Sequence, residues 1–405
     1  MKKNILIFLI LLASNSYAQK VDLNIGETKT KNYFEKITFE FVKEKILIPV
    51  KIEGKTYRFI LDTGSPNVIS KEIYDLIKPK LIKSIPISDA NGNEKNMDVV
   101  LLNKLEIGNV TFEQTATLVY DLNSNPIFEC SGADGFIGSN MLRNSIIQID
   151  NKKKTVLLTD NLKNLSVNKK ESNKIQLTET QSSPFVWIKF KGKNKGKEQV
   201  LIDTGADGIY DIAKDNYGVF REENIFEILG ESEGASSIGI FGGASKNTHF
   251  KLLLPILEIN GTELNNIITE TTNDDNSRIG AELLEYGIIT IDYINKRFYF
   301  SPNTSDKNTA KPDYGFTRTL KDNKLVVGFV WDKSLLTKIK YGDAIIAVNQ
   351  MELNESNFCE VINQITESKE NKPITFKIKS DEGKITDIEI EKKLPPTMYK
   401  KNRVE

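Results

Sequence analysis

Two copies of Asp-Thr-Gly, Asp62-Thr63-Gly64 and Asp203-Thr204-Gly205, stand 141 residues apart, each after an apolar run. Two carboxylates brought face to face cannot both ionise cheaply, so they share a proton. One then activates a water as general base while its partner protonates a carbonyl oxygen, chemistry suited to hydrolysing an amide. Such a site needs no metal and no cofactor, only a frame that holds the aspartates together. A lone Asp-Thr-Gly reads as a turn, because all three residue types favour turns. The duplication lifts these two above that reading.

The frame is legible as an internal repeat. Ile46 to Val50 and Tyr57 to Leu61 precede Asp62, and Phe185 to Phe190 and Gln199 to Ile202 precede Asp203. Each copy predicts a strand, a polar Gly-Lys turn and a second strand that delivers the aspartate. Downstream, Leu105-Glu106-Ile107-Gly108 matches Leu257-Glu258-Ile259-Asn260 within a hairpin, and Gly135-Phe136-Ile137-Gly138 matches Arg278-Ile279-Gly280. The runs ending at Asp150 and Asp292 also match, so aspartate, glycine and late aspartate repeat at 141, 142 and 142 residues. Asp150 and Asp292 are expected to cap turns, and Asp207 to point away from Asp203. Ile87 to Glu94 reads as a hairpin tip able to close over a substrate. The glycine-rich stretch from Gly230 to Gly243 reads as a mobile loop or flap.

With these motifs the chain resembles the aspartic proteases over roughly residues 40–300, specifically the retropepsin-like branch in a single-chain, two-lobed form known from exported bacterial proteins. The resemblance implies that Asp62 and Asp203 are the catalytic pair of an aspartic endopeptidase. It makes Thr63, Gly64, Ser65, Thr204 and Gly205 their supports, with Ala206 in place of the commoner serine. The apolar-apolar-Gly signature of the family is carried by Phe136-Ile137-Gly138 and Ile279-Gly280. Gly138 and Gly280 thus buttress the aspartate loops, and Ser277-Arg278 stands where an apolar residue is usual.

From about Lys311 the pattern changes to strands at Lys324 to Val330, Ile374 to Ile378 and Ile385 to Ile390, with a helix from Asn357 to Ser368. Together with Gly342-Asp343 and the Ile345, Ile346 and Val348 strand, this resembles a PDZ domain, with Gln350-Met351 where Asn-Gly is common. The resemblance implies capture of an extended peptide beside Gly315 and Phe316. The expected fold is mostly β: two homologous acid-protease β-barrel-like lobes around a dyad cleft, plus a small α+β PDZ-like domain. Its divisions are a signal peptide at 1–18, a first lobe at 19–160, an interlobe linker at 161–180 and a second lobe at 181–303. A short linker at 304–310, the PDZ-like domain at 311–393 and a tail at 394–405 complete it.

Bulk properties narrow the function. The 405 residues hold 39% hydrophobic residues and balance 55 Lys and Arg against 55 Asp and Glu. No field points to nucleic acid, and Trp187 and Trp331 fall in different domains, so no aromatic strip awaits bases or sugars. A glycosidase would need its carboxylates about 5 Å or more apart. Lys2, Lys3, the apolar run Ile5 to Leu12 and the small residues to Ala18 read as a secretory signal, too short to span a bilayer. Export to a periplasm, the cell surface or the medium follows, with no membrane span after cleavage. His249 is the sole histidine, which excludes a Cys/His metal site. Cys130 and Cys359 fall in separate domains, so no structural disulfide is expected. The expected partners are a polypeptide substrate and a peptide or protein ligand of the PDZ-like domain, around a monomer. The competing reading is a catalytically inactive scaffold that binds extended peptides.

Overall fold

Alternation of apolar and polar side chains builds the body. In the strand Pro184–Lys191, Val186, Ile188 and Phe190 are fully buried while Trp187 faces out, the period of a half-buried strand. Repetition of this pattern makes the chain mostly β in the computed structural model, which describes residues 22–42, 44–305, 307–366 and 372–395. The expected signal peptide and nearly all of the 394–405 tail lie outside the described residues.

The first half closes into a six-stranded barrel. Lys45–Ile52, Lys55–Leu61, Gly135–Ile137, Val68–Ser70, Val110–Tyr120 and Glu94–Ile107 pair in that order, and the last returns to the first through Lys51 and Glu106. The second half repeats the circuit with Pro184–Lys191, Lys195–Ile202, Arg278–Ile279, Tyr210–Ala213, Thr262–Thr272 and Asn247–Ile259. Parallel and antiparallel pairings fall at the same places in both circuits. Closure removes the free edges that an open sheet would present.

An antiparallel sheet joins the halves. Its order is Phe34–Thr38, Thr155–Thr159, Ile146–Asp150, Gly287–Asp292, Arg297–Pro302 and Asn173–Leu177, so each half supplies matching strands about a central junction. At that junction Gln148 pairs with Thr290 and donates to its hydroxyl at 2.9 Å. The strand Asn173–Leu177 lies inside the stretch whose polarity suggested a linker. Asp150 and Asp292 accept from the backbone of Lys153 and Asn295 at 3.0 and 2.8 Å, capping hairpin turns. The stretch from Gly230 differs from expectation: Glu227–Gly234 is a strand paired along Asn247–Ile259. Backbone pairing needs no side chains, so glycine content there does not mean an irregular loop.

The C-terminal unit has its own core, in which Val327, Val348, Val361 and Phe376 are fully buried. Its sheet runs Phe316–Lys321, Lys324–Val330, Ala344–Val348, Ile374–Lys379 and Ile385–Ile390. Helix Phe358–Thr366 follows a turn closed by a reciprocal Asn354 and Asn357 capping box. This unit is packed on the second barrel. A Cβ on Gly328 would stand 2.3 Å from the Ala235 carbonyl oxygen, Trp331 Nε1 donates to Glu270 Oε1 at 2.8 Å, and Lys251 pairs with Asp313.

The cysteine expectation is corrected. Cys130 and Cys359 form a disulfide across 229 residues, with their Cα atoms 5.2 Å apart. It bolts helix Pro126–Ser131 to helix Phe358–Thr366, and Ile127 joins the C-terminal core beside it. Separation along the chain sets no bound on separation in space, and the docking of these helices brings the thiols together.

Candidate active site

Each Asp-Thr-Gly follows the end of a barrel strand, and a parallel neighbour fixes it there. Gly135–Ile137 pairs with Lys55–Leu61, so the Ile137 carbonyl accepts from Asp62 N at 3.0 Å. Arg278–Ile279 pairs in the same sense with Lys195–Ile202, and Ile279 accepts from Asp203 N at 2.9 Å. Gly138 and Gly280 follow directly. A Cβ would meet Pro66 C at 2.2 Å in the first case and Asp207 O at 1.9 Å in the second, so both positions exclude any larger residue.

The two loops then grip each other. Thr63 N donates to Thr204 Oγ1 and Thr204 N to Thr63 Oγ1, both at 3.1 Å. Thr63 Oγ1 donates onward to Ile202 O at 2.6 Å and Thr204 Oγ1 to Leu61 O at 2.7 Å. Both threonines are buried. The four bonds are reciprocal, each hydroxyl accepting from the opposite loop and donating into the opposite strand.

On this base the carboxyl groups face the opposite loop. A Cβ on Gly205 would lie 2.4 Å from Asp62 Cγ, and one on Gly64 would lie 2.5 Å from Asp203 Cγ. Each aspartate is held by its own loop: Asp62 Oδ1 accepts from Gly64 N and Ser65 N at 3.0 Å, and Asp203 Oδ1 from Gly205 N and Ala206 N at 3.0 and 3.2 Å. Burial and then the negative charge of Asp203 push the Asp62 carboxyl up to about 7. Residues 48–141 match the family model described as Aspartyl protease.

An aspartic-protease family domain is present in this part of the chain. The matched segment contains Asp62 to Ser65 and Gly135 to Gly138, the first of the two loops with its buttress. No curated protein matches the chain.

Around the two aspartate loops lie residues that the motifs did not announce. Lys45, at the start of the first barrel, donates to Gly205 O at 2.7 Å and pairs with Asp207. The second barrel answers with Gln181 and Ser183, whose side chains both donate to Gly64 O at 3.2 Å. Ser139 donates to Thr63 O at 2.6 Å and meets Tyr293 Oη at 2.9 Å. Arg278 donates to Asp203 Oδ2 at 3.1 Å and pairs with Asp274. Only Arg278 left a trace in the sequence, as a charged residue in an apolar slot.

Two tips meet each other. Asn91, in the turn between Lys80–Ser88 and Glu94–Ile107, donates to Gly242 O at 3.1 Å, and Phe241 N donates to Asp89 Oδ2 at 3.1 Å. The same second-barrel turn presses on the C-terminal unit, where Ile238 joins its core and a Cβ on Gly243 would stand 2.3 Å from Leu320 O. Phe316 is buried there against Phe376 at 5.1 Å between ring centres. Gly315, at φ +72°, donates to Asp313 Oδ1 at 2.7 Å, and its carbonyl accepts from Trp331 and Asp332. A cavity of about 690 Å³ lined by Tyr33, Arg143, Asp160, Tyr293 and Lys296 contains no residue of either aspartate loop. Among the described residues no group of three or more His, Cys, Asp or Glu could hold a metal ion, and no helix is long and apolar enough to cross a membrane.

Proposed function

We propose that this chain is an aspartic endopeptidase of the two-lobed, retropepsin-like kind, with Asp62 and Asp203 as the dyad. The observation that carries the proposal is the reciprocal Thr63 and Thr204 grip, which sets each carboxyl against the glycine of the opposite loop. In the reaction the ionised aspartate removes a proton from water as oxygen bonds to the scissile carbonyl carbon, and the protonated one gives its proton to the carbonyl oxygen. The C–N bond then breaks. The nitrogen takes the proton gained from water, and a diol hydroxyl returns one to the other aspartate. The paired tips at Asn91 and Phe241 serve in this reading as a roof over an extended substrate, excluding water while the carbonyl is held.

The C-terminal PDZ-like unit acts here as a clamp on that roof. Its strand Phe316–Lys321 already touches the second-barrel turn, and the Gly315 amide is taken by Asp313. Export is part of the same proposal: a disulfide between Cys130 and Cys359 persists in oxidising compartments.

The deciding experiment uses Asp62→Asn and Asp203→Asn in cleavage of unstructured polypeptides from pH 3 to 8. Each should lose about 10²- to 10⁴-fold in kcat, the usual worth of a positioned acid or base, while circular dichroism is unchanged. Substantial activity in either variant rejects the mechanism. A wild-type chain that binds peptides without cleaving them would make it a peptide-binding scaffold instead.

A further inference from the structure

The dyad is built on matching loops, yet its surroundings are not symmetric. Position 136 in the first barrel is the buried Phe136, while the equivalent position in the second is Arg278. The backbone that carries the arginine is held on both sides. Its strand pairs Arg278 with Leu201 and with Asp211, and Leu201 N donates to Ser277 O at 2.9 Å. Ser277 is itself pinned, donating to the buried Glu198 at 2.6 Å and accepting from Ala213 N at 2.9 Å. The backbone at Arg278 is therefore held, its guanidinium is shared between Asp203 and Asp274, and the Arg278 and Asp203 side chains are about nine-tenths buried, at 12% and 9% exposure.

We propose that Arg278 is a positioning residue that places the dyad's negative charge on Asp203 and its proton on Asp62, giving the two chemically equivalent aspartates fixed roles as base and acid. This rests on the endopeptidase reading above and deepens it. Coulomb attraction between a guanidinium and a carboxylate at 3.1 Å in a site with little water favours the ionised carboxylate. Among the described residues no cation pairs with Asp62, although the charge of Lys45 also favours its ionised form. Lys45, the other nearby cation, is held by Asp207 and Gly205 O rather than by either dyad carboxyl.

Other described carboxyls lie around Arg278 and Lys45. Asp274 shares the Arg278 guanidinium, Asp211 stands across the strand pair from it, Glu270 adds to the field at Asp211, and Glu44 lies near Lys45 and Asp207. Burial and Asp203 hold the proton on Asp62 up to about 7, so the single-proton state extends toward neutrality. Such an enzyme cleaves on a plateau that reaches nearly neutral pH.

The test compares the wild-type chain with Arg278→Gln and Arg278→Lys by pH profiles of kcat/KM and by titration of ¹³Cγ-aspartate resonances, the dyad signals being those missing from Asp62→Asn and Asp203→Asn. Loss of the cation should raise proton affinity most at Asp203. In Arg278→Gln its resonance midpoint and the acid limb of the profile should therefore move up by about one to three pH units, with about tenfold lower kcat/KM per unit at a pH on that limb. Arg278→Lys should restore part of the shift. A uniform loss across all pH values with an unmoved Asp203 midpoint would make Arg278 merely structural and overturn the proposal. A faster Arg278→Gln enzyme would overturn it too, showing that the arginine obstructs the dyad. Because the resonances titrate without substrate, absent cleavage by the wild type would refute the endopeptidase reading while still testing the charge placement.

Discussion

Replacing Thr63 with valine tests whether the reciprocal grip carries the site. Valine keeps the shape of threonine, so the cavity term is small. It removes two hydrogen bonds at once, leaving Thr204 N–H without its acceptor and Ile202 C=O without its donor. Both groups lie where Thr63 and Thr204 are 0% and 1% exposed, so water does not replace the lost partner. Each orphaned group costs about 1–3 kcal/mol, or about 2–6 kcal/mol for the two. The added apolar burial returns about 1 kcal/mol. The net expectation is a loss of about 1–5 kcal/mol in urea unfolding, against about 1 kcal/mol for Thr63→Ser, which keeps the hydroxyl and loses a methyl. Activity should fall further, since a dyad displaced by about 1 Å can cost about 10²-fold. Thr204→Val should match Thr63→Val, because Thr63 N and Leu61 O are orphaned in the same way. Valine variants as stable and as active as the serine variants would refute the reasoning.

Asp62, Asp211 and Glu44 are all pushed up to about 7, chiefly by burial. The folded chain therefore binds more protons than the unfolded one from the ordinary carboxylate range up to about 7. Thermal stability should fall as pH rises through that window, and Asp62→Asn should flatten the slope; a midpoint that climbs from pH 5 to 7 would contradict it. Thiol titration of the native chain should find no free cysteine, and Cys130→Ser with Cys359→Ser should destabilise it by up to about 5 kcal/mol, the chain-entropy value for a 229-residue loop. Deleting residues 311–405 should impair cleavage of short and long peptides alike, because the deletion strips partners from Ser232, Lys251 and Glu270. Loss confined to long polypeptides would instead assign that unit to substrate recruitment.

The strands were legible because their signals are local. Lys324–Val330 and Ile385–Ile390 stand where alternation and turn residues set them. The repeat of 141–142 residues also carried real information, since the aspartates and glycines occupy matching places in the two barrel circuits, and Asp150 and Asp292 end matching strands of the joining sheet. Glycines from Gly230 misled, because composition reports the freedom of an isolated chain and not the ladder with Asn247–Ile259 that removes it.

Residue types and repeat spacing marked which two aspartates could form a pair and that β-strands would deliver them, and the resemblance to the aspartic proteases pointed to the threonines and glycines beside them. Tertiary structure decided who stands beside them. Arg278 reaches Asp203 through the pairing of Leu201 with Arg278, Lys45 crosses to the opposite loop, and Cys130 finds Cys359 across 229 residues. Periodicity and turn chemistry act over a few neighbouring residues, so they can be read in order along the chain. Charge, proton sharing and disulfide bonding act through space, and only the closed barrels and docked helices bring those partners within reach.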